Sequence, residues 1–404
     1  MATRWWRRGT AYLDNASTPF DELAAFDETI DAHIDGLVES VTYSVELFQR
    51  AVDSKAPDAG ADVFASLMFA FLSGSEECLA RVDAYTEGLD SKAAALEGVF
   101  AWDDSASVEN ALLKYLEHPN MRYRAAALAQ CYVHRIDIDQ NLHVILTDAS
   151  SPLLARALRT AGECGSVRLL PLILGWLETE NGTPAHVRYW AAWSCILLGA
   201  RPERAIELLQ QNVLQRDEQS AGSLRLLCVA LTREQLLPYL QSLTDSSFSP
   251  QLLIGALGWS GAPDVLPWLI EQMQAAPYAG IAGQAFRLIT GFDFELDGAT
   301  LPEPDDGPAD DGPGYPIPNV NYVRTWWNTH EHDFDGQRRF LLGAEINVDW
   351  LDTILESGEQ GHRESAALQR ALLRPGHRMI PTHAHAAIQW LRSQQLKEEN
   401  YDNN

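Results

Sequence analysis

Four of the five cysteines, Cys131, Cys164, Cys195 and Cys228, are separated by 33, 31 and 33 residues. No other feature constrains the fold as much. Internal periods of roughly 30–47 residues belong to helical repeat arrays, in which each helix pair buries its apolar face only against its neighbours. The cysteines cannot act together. Equivalent positions on stacked helices lie about 9–10 Å apart. That exceeds the roughly 7 Å a disulfide spans and is too far for four sulfurs to reach one zinc ion at about 2.3 Å. They are expected to be buried, reduced thiols that pack as small hydrophobes, which points to a reducing compartment.

The stretches before them agree. AAALAQC, ARALRTAGEC, YWAAWSC and SLRLLC are rich in small residues that let two helices approach, with Leu, Trp and Ile spaced to fill the seam. Pro119, Pro152, Pro184 and Pro250 precede such helices, where a missing N–H does no harm. A Leu-Pro signature, at Leu170–Leu172 (Leu-Pro-Leu) and as Leu-Pro-x-Leu at Leu237–Leu240 and Leu266–Leu269, is expected to open the other helix of a pair, with Pro in its first turn. Residues 101–287 thus read as five or six helix pairs of about 30 residues. The Arg-Ala-Ala patterns at Arg124-Ala125-Ala126 and Arg188-Tyr189-Trp190-Ala191-Ala192 resemble HEAT repeats. Sustained alternation of β-branched residues is missing. The predicted class is all-α, an α-solenoid of HEAT-like helix pairs.

The chain of 404 residues is 46% hydrophobic, enough for a large core. No apolar run approaches the ~18–20 residues of a membrane span. Arg7-Arg8 is followed by no apolar stretch of the kind an export signal needs, so a cytoplasmic location is expected. The net charge of −26 is uneven. Residues 11–100 carry 18 Asp/Glu against 4 Lys/Arg, and residues 288–323 carry 8 acids and no base, whereas 101–287 carry 18 acids and 14 bases. This balance argues against a nucleic-acid sleeve, which needs a basic footprint. It suits solubility, or a basic protein partner.

Five segments follow. Residues 1–100 form an acidic helical N-terminal cap, with helices expected near 61–73 and 76–100. Residues 101–296 form the repeat solenoid. Residues 297–320, with six prolines among Asp and Gly, form a loop. C-terminal helical repeats occupy 321–396, and 397–404 a disordered tail.

Four segments carry a wider likeness: Leu23–Leu37 (LAAFDETIDAHIDGL); Gly283–Asp293 (GQAFRLITGFD) with its Pro/Asp-rich loop; Trp326-Trp327 with Phe334–Gly343; and Gly361–Leu368 with Pro375-Gly376 and His385–Gln389. Over nearly its whole length the chain resembles a family of proteobacterial proteins of about 400 residues with HEAT-like repeats. Its genes often lie among type VI secretion components. The resemblance implies a role as effector adaptor, chaperone or immunity protein, with a secreted effector, toxin or secretion-apparatus component as partner. It supplies no catalytic residues.

Chemical motifs are sparse. Phosphate-binding, dinucleotide-binding and nucleophile-elbow patterns are missing. In His330-Glu331-His332-Asp333 the histidines are two apart and diverge by about 200° on a helix. Asp305-Asp306-Gly307 and Asp310-Asp311-Gly312 lack calcium-loop spacing. Neither metal nor cofactor is predicted. The candidate protein-binding residues are Arg122, Tyr123, Arg124, Arg188, Tyr189 and Trp190, with Trp326 and Trp327, because Tyr, Trp and Arg dominate interface hot spots. A non-enzymatic interaction scaffold is the leading expectation. The alternative is an enzyme on a HEAT-like scaffold, a lyase or one acting on nucleic acid. Self-association through the array ends is a third possibility.

Overall fold

A computed structural model describes residues 5, 7–9, 17–40, 43, 44, 46, 50, 59–89, 91–148, 150–178, 183–215, 219–244, 248–302 and 315–402, with backbone alone for 59, 60 and 397–402. The protein is mostly helical. Two compact units divide it: Met1–Ala200 with Asp352–Asn404, and Arg201–Leu351.

In the first unit the helices are α1 (Phe20–Val38), α2 (Ala59–Leu72), α3 (Glu76–Thr86), α4 (Lys92–Phe100), α5 (Ala106–Leu116), α6 (Met121–Gln130), α7 (Asp139–Thr147), α8 (Leu154–Glu163), α9 (Leu170–Glu178) and α10 (Ala185–Leu197). The stretch 76–100, read as one helix, is broken at Gly88, which takes a left-handed φ of +74°. Every second helix stacks on the next: α2 on α4, α4 on α6, α6 on α8 and α8 on α10, with α3, α5, α7 and α9 packed outside this row. Small residues permit the approach. A methyl group at Gly162 would lie 2.7 Å from Ser194 Oγ. Thr160 Oγ1 donates to the Leu128 carbonyl (3.1 Å) and Ser194 Oγ to that of Leu158 (2.7 Å), tying α8 to α6 and α10 to α8.

The second unit repeats the scheme. Its helices are α11 (Glu203–Gln215), α12 (Ser220–Ala230), α13 (Arg233–Thr244), α14 (Pro250–Ser260), α15 (Leu266–Gln272), α16 (Ala279–Thr290) and α17 (Val320–His330). Stacking runs α12 on α14 on α16, with a methyl group at Gly258 only 2.9 Å from Ala285 Cα. Leu170 and Leu266 start helices as expected. Pro238 does not lie in a first turn: α13 begins at Arg233, because Thr232 and Gln235 cap it upstream. A hairpin pairs β1 (Phe340–Leu341) with β2 (Ala344–Glu345).

The cysteines mark the stacked helices. Cys131 and Cys164 are the C-terminal caps of α6 and α8, while Cys195 and Cys228 lie in the last turns of α10 and α12. All are buried and free. Burial pushes the thiols of Cys131, Cys195 and Cys228 up to about 12, and that of Cys164 up as well.

Three helices close the chain: α18 (Val348–Ser357), α19 (Gln360–Leu373) and α20 (Ala386–Asp402). The backbone of α20 stays helical past 396, where the tail was expected to begin. The Pro/Asp-rich core of the predicted loop, 303–314, lies outside the described residues. Its flanks pair, with Leu301 N–H donating to the Ile317 carbonyl (2.8 Å) and Asn319 N–H to that of Ala299 (2.8 Å).

Candidate functional site

The predicted contact residues separate into interior and surface members. Tyr123 is 2% exposed. Its hydroxyl accepts from Gly88 N–H (3.2 Å) and its ring lies 4.9 Å from Lys92 Nζ, so it is a packing residue. Tyr189 is also buried, at 6% exposure, with its ring edge-on to Trp190 at 4.7 Å. In the second unit Trp327 is buried and Trp326 half-buried, and both join the aromatic cluster of Phe286 and Phe334. Trp326 also stacks on His330 at 4.3 Å. These side chains were expected on a binding face. Packing takes most of them, because an aromatic ring gains more from burial than any other side chain of its reach.

Arg122, Arg124, Arg188 and Trp190 retain surface. Trp190 is sandwiched rather than free: the Arg159 guanidinium lies 4.7 Å from its ring, and Trp193 meets it edge-on at 5.4 Å. Arg159 also bonds Glu163 (2.8 Å), which Arg156 reaches from the other side. This Arg-Arg-Glu cluster on α8, packed against α10, was not singled out in the sequence. Its spacing, Arg159 four residues before Glu163, was the available signal. Arg188 is half-buried, and among the described residues its Nε has no hydrogen-bond partner.

Arg124 has a different setting. It lines an open cavity of about 200 Å³ with Leu116 from α5, Leu128 from α6, and Gln140, Asn141, Val144 and Ile145 from α7. Its Nε donates to the Leu116 carbonyl (3.0 Å), at the C-terminal end of α5, and its Nη1 rests on Met121 Sδ (3.7 Å).

A second face of each unit is occupied by the chain itself. In the first unit, residues 375–395 run back along the C-terminal ends of the stacked helices. Pro375 packs at Gly199, after α10. Met379 N–H donates to the Glu163 carbonyl of α8 (2.9 Å). Arg378 and Arg392 donate to the Ile136 and Val133 carbonyls beyond α6 (3.1 and 2.8 Å), and His385 N–H donates to the Ala101 carbonyl beyond α4 (2.8 Å). Asp27, fully buried, closes the end: it takes Arg8 and the Ala386 N–H. Beside it Asp31 takes Trp102 Nε1 (2.8 Å) and lies 3.1 Å from His385 Nε2. Burial would raise the Asp31 carboxyl, but the bond and charge of His385, with the Trp102 N–H, outweigh it and hold the group below its ordinary range.

In the second unit residues 339–343 do the same. Arg339 donates to the Cys228 and Val229 carbonyls (2.9 Å each) and to that of Leu231, Phe340 N–H to Gly261 (2.8 Å), and Leu342 and Gly343 N–H to Leu288 and Ile289 (2.8 and 3.0 Å). Helix ends leave carbonyls without intrahelical partners. These two straps supply the partners.

Among the described residues no three His, Cys, Asp or Glu side chains are grouped to hold a metal ion, and no helix is long and apolar enough to cross a membrane. Comparison of the chain with protein-family models, with curated proteins and with solved structures finds no match.

Proposed function

We propose that the chain is a non-enzymatic protein-interaction scaffold. One observation carries this reading: in each unit alternate helices stack in a row, with α3, α5, α7 and α9, or α11, α13 and α15, each packed on a helix of that row. Repeat arrays built this way hold a partner over many small contacts. On this reading the units are α-solenoids of HEAT-like helix pairs, and the acidic N-terminal helices are a terminal cap. A protein partner suits the overall charge better than a nucleic acid does. Cysteines placed on separate stacked helices, where they cannot pair, suit a reducing, cytoplasmic setting.

The resemblance of four segments to proteins encoded among type VI secretion genes supports a narrower role, as adaptor, chaperone or immunity protein for a secreted effector. Affinity purification of the full chain from its native host at moderate salt, with mass spectrometry, tests both levels. A stoichiometric protein partner is expected, and its failure to appear would sink the scaffold. An effector retained as partner separates the narrower roles: an immunity protein rescues cells from the toxin domain, whereas a chaperone is needed for its secretion.

A further inference from the structure

We propose that the cavity framed by α5, α6 and α7 is a docking pocket for an extended segment of a partner protein carrying an aliphatic side chain beside a carboxylate. This rests on the scaffold reading and names the chemistry of one contact. The floor is apolar: Leu116, Leu128 and Ile145 are buried and form its base. At about 200 Å³ the space exceeds the roughly 150 Å³ of an apolar cavity that accepts benzene, so one leucine, isoleucine or phenylalanine side chain fits. The mouth is apolar too. Val144 is 60% exposed, and Met121 on α6, whose Sδ lies 3.7 Å from Arg124 Nη1, also stands exposed. Val144 and Met121, on neighbouring helices, thus carry the apolar floor out to the surface.

The rim selects the charge. In a chain of net charge −26, no carboxylate lines this pocket, and its single charged residue is Arg124. The bond from Arg124 Nε to the Leu116 carbonyl fixes the guanidinium in place. Among the described residues its Nη2 makes no hydrogen bond, which leaves that edge for an incoming carboxylate. Gln140 and Asn141 each carry a donor and an acceptor, the pairing an extended peptide backbone needs. Charge-assisted bonds of this kind are the stronger ones at interfaces.

The test selects random twelve-residue peptides displayed on phage against the full chain, and measures the enriched peptides by fluorescence polarisation. Enriched peptides should share an aliphatic residue next to Asp or Glu. Val144→Asp, at an exposed position that leaves the melting temperature unchanged, should weaken them at least tenfold. Arg124→Gln should do so too, with Arg124→Lys in between. Replacing the peptide's acid by its amide should weaken binding to the native chain and leave binding to Arg124→Gln unaffected. No enrichment, peptides without the motif, or binding indifferent to both variants would each overturn the pocket. A native partner retained equally by the native chain and Val144→Asp would also overturn it, yet leave the scaffold standing. Peptides that select the pocket while no native partner is retained would count against the scaffold instead.

Discussion

A methyl group added at Gly165 would stand 2.6 Å from the Gly376 carbonyl oxygen, and one at Gly261 would stand 2.7 Å from that of Phe340. Both glycines also hold a left-handed φ, +69° and +65°. Gly165→Ala should therefore cost about 3 kcal/mol or more. Gly74→Ala, at φ +63° with nothing within 4 Å, should cost only the left-handed strain of about 1–2 kcal/mol. Urea denaturation of the two variants would show the gap. His134 makes a second residue-level prediction. Burial lowers its imidazole from the ordinary 6.5, opposed by the Phe100 carbonyl 2.6 Å from Nε2. Between the two values the unfolded chain takes a proton that the folded one refuses, so stability falls as pH drops through 6.5. Asp31 adds a separate loss. Its folded value lies below 3.8, so the stability it gives above that pH disappears as pH falls through the folded value. Urea midpoints from pH 8 to 4 should decline, and His134→Gln should flatten the limb below pH 7. An unchanged slope would remove His134 from the account. The thiols make a third. All five are buried, and burial pushes the ionisation of Cys131, Cys164, Cys195 and Cys228 upward, so none of the five should react with iodoacetamide in the native chain at pH 8, and all should react in denaturant.

Helix ends decide the next scale. Where a stacked helix finishes in a left-handed glycine, as at Gly165, Gly199, Gly261 and Gly291, the turn itself recovers carbonyls. The end of α12 has no such glycine, and Arg339 reaches three of its carbonyls instead. After α6 the left-handed position falls on Arg135, and Arg378 and Arg392 supply the donors. Arg339→Met leaves buried carbonyls unpaired and should cost about 2–4 kcal/mol, seen as a lower urea midpoint. Much of the helical layout was legible before the structure: the cysteine step, the small residues and the prolines place α6, α8, α10, α12 and α14. Gly88 and Pro238 misled the reading, since a glycine inside an apolar stretch and a proline inside a helix are both decided by neighbouring packing. The straps could not be read at all. Their bonds join residues 242 and 259 positions apart, and no periodicity records a pairing at that distance. Of the expected contact residues Arg124 and Trp190 keep surface, but composition could not tell that Tyr123 and Tyr189 turn inward.

At the scale of the molecule, each unit has one face closed by its own chain. A chain ending at Arg374 would leave the carbonyls of Ala101, Val133, Ile136 and Glu163 without their partners and remove α20, which packs on α1. Limited proteolysis of that truncated chain should cut residues 1–200 readily and leave 201–351 the more resistant part. Uniform resistance across both would contradict this role for the strap.

The order in which the straps are made has its own consequence. Ribosomes deliver about 5–20 residues per second. The ends of α4, α6 and α8 therefore wait some tens of seconds for residues 375–395 to emerge. The second unit receives its strap within about fifty residues of α16. The later-born unit is thus the first that can be completed. During synthesis the earlier helices stand with open ends, available to chaperones or to a partner that arrives before the C-terminus does.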